Sequence, residues 1–263
     1  MEPTQITATY PTQTQANPPL IKRGATDYFR YTYKTRKLLY YIVGTPLSIA
    51  FDIMWDIKYI GRERVPRRNV IFMPNHVSHL DGFLVGKAFF PTRPIHALAD
   101  EKLFKHPLSS WFLSNLNAFP VRKRAKQLHV VKYAIELVKR GKNLLWFPEG
   151  QRHKQPWLRT LNPGKVGAGW IAHATRAPII PVFIDGAEKA MPVGKPPTKG
   201  PGFRKIKITV EFGRPVPLDE YYDLPEGKET SKLIVNRIMQ AIEELRPKYH
   251  YEEREKYLKQ QLQ

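Results

Sequence analysis

The stretch MPNHVSHLDGF, residues 73–83, places His76 and Asp81 directly behind the apolar run NVIF. An imidazole with an ordinary pKa of about 6.5 exchanges protons near neutral pH. A carboxylate that accepts from one ring nitrogen fixes the tautomer and leaves the other nitrogen to take a proton. On one continuous helix these two side chains would point about 140° apart. Cooperation therefore requires His76 in a turn and Asp81 in the first helical turn, with Ser78 as N-cap. Two other readings use the same residues. Ser78 and Asp81 can form a capping box with His76 a passive turn residue; this is compatible with the base, because a carboxylate has two oxygens. Alternatively His76, His79 and Asp81 are metal ligands, but their spacing is not the helical H-E-x-x-H, and no further His/Asp cluster supplies outer ligands. His79 otherwise reads as a solvent-facing helix residue.

Nothing in the chain supplies an obvious nucleophile for a covalent intermediate. There is no cysteine, which excludes disulfides, thiolate metal sites and thiol catalysis together. G-x-S-x-G is absent, so a hydrolase elbow is unsupported. The proton taken by His76 then belongs to a substrate hydroxyl that attacks directly.

The elements that must position this pair follow from the apolar pattern. NVIFMP, PIHALA, NAFPV, NLLWFP and PIIPVFI read as buried strands, and AKQLHVVKYAIELVKRGK as an amphipathic helix ending at Gly141. A further strand, KIKITVEFG, precedes a C-terminal helical region. The alternation predicts an α/β fold: a single mostly parallel sheet flanked by helices, with an N-terminal membrane-associating helical pair and C-terminal helices. The expected divisions are a disordered tail over 1–26, the helical pair over 27–57, the α/β domain over 58–227 and the C-terminal helices over 228–263. In open α/β sheets ligands gather beyond the carboxyl ends of the strands, and PNHVSHLD, PVRKR and PEGQR all fall there.

The tail is rich in Thr, Gln and Pro with almost no charge, a composition that cannot bury enough surface to order itself, and it lacks the marks of a secretory or transit signal. Behind it, Leu38 to Phe51 is uncharged and follows Arg30, Lys34, Arg36 and Lys37. That run is short for a spanning helix, which needs about 20 apolar residues. Two short helices meeting at Gly44, Thr45 and Pro46 suit the headgroup boundary; a pair of core helices and one spanning helix are the alternatives.

Lys and Arg number 43 against 23 Asp and Glu, a formal net charge of +20, and residues 1–227 hold 35 of the basic and 17 of the acidic residues. The surplus sits on the body, which suits polyanions, whether anionic lipid or nucleic acid. Zinc-finger spacing and an aromatic RNA-binding consensus are both absent, which argues against nucleic acid.

The box NHVSHLD followed by FPEGQR at 147–152 resembles the glycerolipid acyltransferase family best known through the 1-acylglycerol-3-phosphate acyltransferases. The likeness covers roughly Ile57 to Pro217, with four blocks in the family's order: Asn75, His76 and Asp81; NAFPVRK with Arg122; FPEGQR; and PIIPVFI. LNPGKVGAGWIA is similar to the family's lysine-containing helix start and places Lys165 there.

The resemblance implies that His76 is the base on a glycerol hydroxyl and Asp81 orients it, without metal, cofactor or acyl-enzyme. The electrophile is the thioester of acyl-CoA or of an acyl-carrier protein. It implies a substrate-binding set of Asn75, Arg122, Glu149, Gly150, Arg152 and Lys165, in which arginine forks grip phosphate. Glu149 either fixes the cations or touches an acceptor hydroxyl, and Gly150 lets backbone approach the ligand. The third block usually reads F-P-E-G-T-R-S; here Gln151 and His153 replace the threonine and serine, which bears on the acceptor. The implied activity makes phosphatidic acid from 1-acyl-glycerol 3-phosphate in phospholipid biosynthesis, at a cytosol-facing membrane surface. The alternatives are a different lysophospholipid acceptor or a non-catalytic basic lipid-binding protein.

Overall fold

The computed structural model describes residues 37–121, 127–156, 160–192, 196–198, 205–247, 250–252, 255 and 259–260. The expected tail, residues 27–36 of the expected helical pair, and Arg122 lie outside the described residues. Strands and longer helices follow in chain order: α1 (Lys37–Met54), β1 (Trp55–Ile60), β2 (Ile71–Pro74), α2 (Asp81–Ala88), β3 (Ile95–Asp100), α3 (Pro107–Asn115), β4 (Ala118–Val121), α4 (Gln127–Lys139), β5 (Asn143–Leu145), α5 (Val166–Thr175), β6 (Ile179–Asp185), β7 (Ile206–Phe212) and α6 (Lys228–Glu244).

The strands form one sheet in the order β1-β7-β6-β2-β5-β3-β4, every neighbouring pair parallel except β6 with β7. Side chains alternate across it, because successive strand residues point to opposite faces. On β2, Ile71 and Met73 join the core shared with α4, α5 and α6, while Phe72, with Val70 just before the strand, joins the core shared with α1 and α2. Leu144 and Leu145 of β5 divide the same way. Helices therefore cover both faces, as the near-continuous apolar runs of a parallel sheet demand.

Strand direction decides what shares an end of the sheet. β2 to β6 point their carboxyl ends one way. β7 is antiparallel to β6 and β1 is parallel to β7, so both start at that same end. The His76 turn, the segments after β3 and β5, and the α1–β1 junction are gathered there.

The N-terminal helices differ from expectation. Lys37–Met54 is one continuous helix with Pro46 inside it. Pro46 removes a bond only to the carbonyl of Ile42, and both residues are exposed, so water can satisfy that carbonyl. Gly44 is there for contact: a Cβ would lie 2.4 Å from Cε2 of Phe90. Tyr40 meets Phe90 and Phe51 meets Phe83, with ring centroids 5.2 and 6.3 Å apart, so α1 runs antiparallel to α2. The strand β1 also begins at Trp55, ahead of the expected boundary at residue 57, because buried Trp55 faces the sheet core rather than a helical stripe. Among the described residues no helix is long and apolar enough to cross a membrane.

Candidate active site

β2 ends at Pro74, and the chain turns through 75–80 before α2 starts at Asp81. His76 thus stands in the turn and Asp81 in the first helical turn. His76 Nδ1 and Asp81 Oδ2 are 2.8 Å apart. The backbone amides of Val77 and Ser78 donate to the same Oδ2, each at 2.8 Å. An oxygen accepting two amides is an acceptor for the ring as well, so Nδ1 carries the hydrogen and a neutral ring presents Nε2 as a base. Only half of the expected capping box forms beside the base, the Ser78 N–H bond to Asp81, and it uses the same carboxylate oxygen as the ring: Oδ1 is buried with no hydrogen-bond partner among the described residues. Ser78 is not the N-cap. Leu80 holds that position, and the Ser78 hydroxyl donates to the Met191 carbonyl at 3.0 Å while accepting from Leu80 N–H. His79 is exposed, as expected, but precedes the helix. Among the described residues no three His, Asp or Glu side chains gather as metal ligands.

The imidazole is held from several sides. Phe147 stacks beneath it, ring centroids 3.9 Å apart at 20°. His76 N–H donates to Glu149 Oε1 at 2.9 Å, and His76 C=O accepts from His153 N–H at 2.7 Å. The His76 side chain keeps 19% of its exposure, and Nε2 has no hydrogen-bond partner among the described residues. Pattern reading did not single out Phe147; its place in FPEGQR, at the end of a strand neighbouring β2, was the available signal.

Two residues expected to bind substrate are held by backbone groups of the protein. Asn75 is buried; its Nδ2 donates to Ile184 C=O at 3.0 Å and its Oδ1 accepts from Ile184 N–H at 2.7 Å. Both ends of its amide tie the end of β2 to β6. Glu149 is buried too, its second oxygen accepting from Asn162 N–H at 2.8 Å. It joins the histidine turn to the segment entering α5. Burial pushes its carboxyl above the ordinary range, while the two backbone amides pull it down. Asn162 is a participant that the sequence did not mark.

Of the remaining expected residues, Gly150, Arg152 and Lys165 are described. Gly150 is exposed with φ +70, a left-handed conformation suited to glycine, and an added Cβ would lie 3.1 Å from the Lys165 stem. Lys165 is exposed and its backbone N–H donates to Pro148 C=O at 2.7 Å, setting the start of α5 against the 147–150 turn. Arg152 is half-buried, with an Nη1 atom buried and unpartnered among the described residues. Gln151 is exposed. The His153 ring is buried, accepting from Gln155 N–H at Nδ1 and meeting Thr160 Oγ1 through Nε2; burial lowers its pKa.

Residues 56–185 match the Acyltransferase family model. A 1-acyl-sn-glycerol-3-phosphate acyltransferase of Saccharomyces cerevisiae is 32% identical over 154 residues, 57% of this chain and 48% of that protein. One of Bacillus subtilis is 25% identical over 211 residues, 80% of this chain and 98% of that protein. The chain spans about half the length of the first curated relatives it matches. The crystal structure of the 1-acyl-sn-glycerophosphate (LPA) acyltransferase PlsC from Thermotoga maritima shares the fold, with TM-score 0.57 and 23% identity over 84% of this chain and 87% of that one. The family match covers the stretch from β1 through β6 that builds the paired imidazole and its supports, so the site lies in the part of the chain that is similar to the Acyltransferase family and to 1-acyl-sn-glycerol-3-phosphate acyltransferases.

Proposed function

We propose that this chain transfers a fatty acyl group from the thioester of acyl-CoA or acyl-carrier protein to the free hydroxyl of 1-acyl-glycerol 3-phosphate, forming phosphatidic acid. The observation that carries the reading is the 2.8 Å bond between His76 Nδ1 and Asp81 Oδ2, which leaves Nε2 as a base at the open end of the sheet. Nε2 removes the hydroxyl proton as the oxygen attacks the thioester carbonyl; the tetrahedral oxyanion collapses, the carbon–sulfur bond breaks, and the imidazolium returns the proton to the leaving thiolate. Arg152, three residues beyond Glu149 in FPEGQR, and Arg122 and Lys165 are the cations proposed to take the phosphate oxygens. Asn75 and Glu149 act as positioning residues.

A different lysophospholipid acceptor is the second reading, and Gln151 and His153 favour it by departing from the family's third block. The experiment combines purified protein, labelled acyl donor and a panel of lysolipids. Transfer that prefers the phosphate monoester, vanishes in His76→Ala and shows a raised acceptor KM in Arg152→Ala supports the proposal. Equal transfer by all three proteins rejects it, and preference for another headgroup selects the second reading.

The acceptor is water-averse, so the enzyme meets it at a membrane. The exposed face of α1 carries Leu38, Tyr41, Ile42, Ile49 and Ile53, a helical stripe suited to lying in the headgroup boundary. We place the chain on a cytosol-facing membrane surface, attached through that face. Release by carbonate or high salt fits this attachment; extraction by detergent alone contradicts it.

A further inference from the structure

The segment after β3 exposes apolar surface that the core does not need. It starts with a helical turn at Glu101–Phe104 and continues into α3. Leu103 is 43% exposed, Leu108 67% and Trp111 48%. Leu108 and Trp111 are three apart and share one helix face. Phe112, at the edge of that face, is packed inward and meets Phe83 of α2 with ring centroids 6.3 Å apart, which leaves Leu108 and Trp111 outermost. Lys102, Lys105 and His106 are exposed beside the apolar residues, with Glu101 the one acidic side chain in the segment. Because the segment follows the carboxyl end of β3, it stands at the same sheet end as His76, and α1 packs against α3.

We infer that Glu101–Trp111 is a second bilayer-contacting element, inserting Leu108 and Trp111 among the lipids while Lys102 and Lys105 meet anionic headgroups. An indole suits this boundary, since its ring is apolar and its N–H polar, and flanking lysines gain from a negative leaflet. Charge complementarity selects an anionic surface over a neutral one, and the exposed Leu103, Leu108 and Trp111 between the cations call for an apolar interior beneath it, which an anionic bilayer supplies. Two contacts, α1 and this segment, also fix an orientation that one amphipathic helix leaves free: the end of the sheet holding His76 faces the membrane. The inference rests on the proposed acyltransferase reading for its purpose and is tested apart from it.

The chain has no cysteine, so Leu108→Cys accepts a single environment-sensitive fluorophore, and Glu229→Cys on α6 provides an exposed control. With vesicles of equal parts phosphatidylcholine and phosphatidylglycerol, the label at 108 is expected to shift to the blue and brighten several-fold while the control stays unchanged. Leu108→Glu/Trp111→Glu is expected to lose at least about tenfold in partitioning to these vesicles and to keep the wild-type rate on a short-chain acceptor in solution. An unresponsive label, or unchanged partitioning of the double variant, overturns the inference. So does a dimer of the wild-type protein that dissociates in the double variant, since a second copy then covers this face. A label that enters vesicles in a protein that acylates no acceptor overturns the acyltransferase reading and leaves the inference standing.

Discussion

Among the described residues two histidine–carboxylate pairs have nearly equal length and opposite surroundings. His76 Nδ1 lies 2.8 Å from Asp81, and His250 Nε2 lies 2.9 Å from Asp185. The first is local, formed across a turn, with its ring partly open. The second joins the chain beyond α6 to the end of β6; the His250 side chain is 2% exposed and packs against Phe183. Identical bonding therefore does not make two bases. A proton acceptor also needs a nitrogen that a substrate can reach, which the partly open His76 turn provides and the His250 ring buried against Phe183 does not. Even so the two are connected: Asp185 follows Ile184, the residue whose backbone holds Asn75 beside His76.

The strongest break between the pairs comes from removing each imidazole. His76→Ala is expected to lower kcat by about 10³-fold, whereas His250→Ala should leave it within about threefold and cost about 1–3 kcal/mol of stability through loss of the buried hydrogen bond to Asp185. Denaturant unfolding alongside steady-state rates separates the two effects, and equal loss of kcat in both erases the distinction. Asp81→Asn keeps the shape but frees the tautomer; kcat is expected to drop about 100-fold with little change in acceptor KM.

A third histidine sharpens the contrast through pH. His96 is buried on β3 with no carboxylate partner among the described residues, and burial, followed by the nearby Lys142 cation, presses its pKa down to about 4. Its folded value lies below the unfolded one, so the unfolded chain binds the extra proton and stability is lost as pH falls from about 6.5 towards 4. Between pH 7.5 and 5 the wild type should lose about 2 kcal/mol more than His96→Leu; parallel losses in urea titrations would remove burial as the cause. The smallest effect is on the support beneath His76. Glu149→Gln offers one acceptor where two backbone amides need it, so kcat should fall about tenfold at nearly constant acceptor KM. A rise in KM alone would restore the direct substrate contact that the sequence suggested.

Much of this was legible beforehand for a physical reason. The apolar runs of β2 to β7 and the helical period of α4 are local signals, and strand alternation with helices leaves few layer arrangements open. The site turn was equally local, because His76 and Asp81 are close enough that one turn decides whether they meet. The continuous α1 was not legible: Gly44 and Pro46 read as breakers until Phe90 is seen packed on the glycine. β1 was hidden because its start, at Trp55, follows a helix without a turn residue between them.

By itself the sequence determined the chemical pair, the strands that deliver it and the four blocks that mark the family. Tertiary structure decided what each polar side chain is spent on. Asn75 and Glu149 carry groups well suited to a ligand, yet Ile184, His76 and Asn162 supply backbone partners in a buried setting where an unpaired amide or carboxylate costs about 1–3 kcal/mol. That competition between protein and ligand for the same hydrogen bonds is settled by positions distant in the chain and adjacent in space, which residue spacing does not encode.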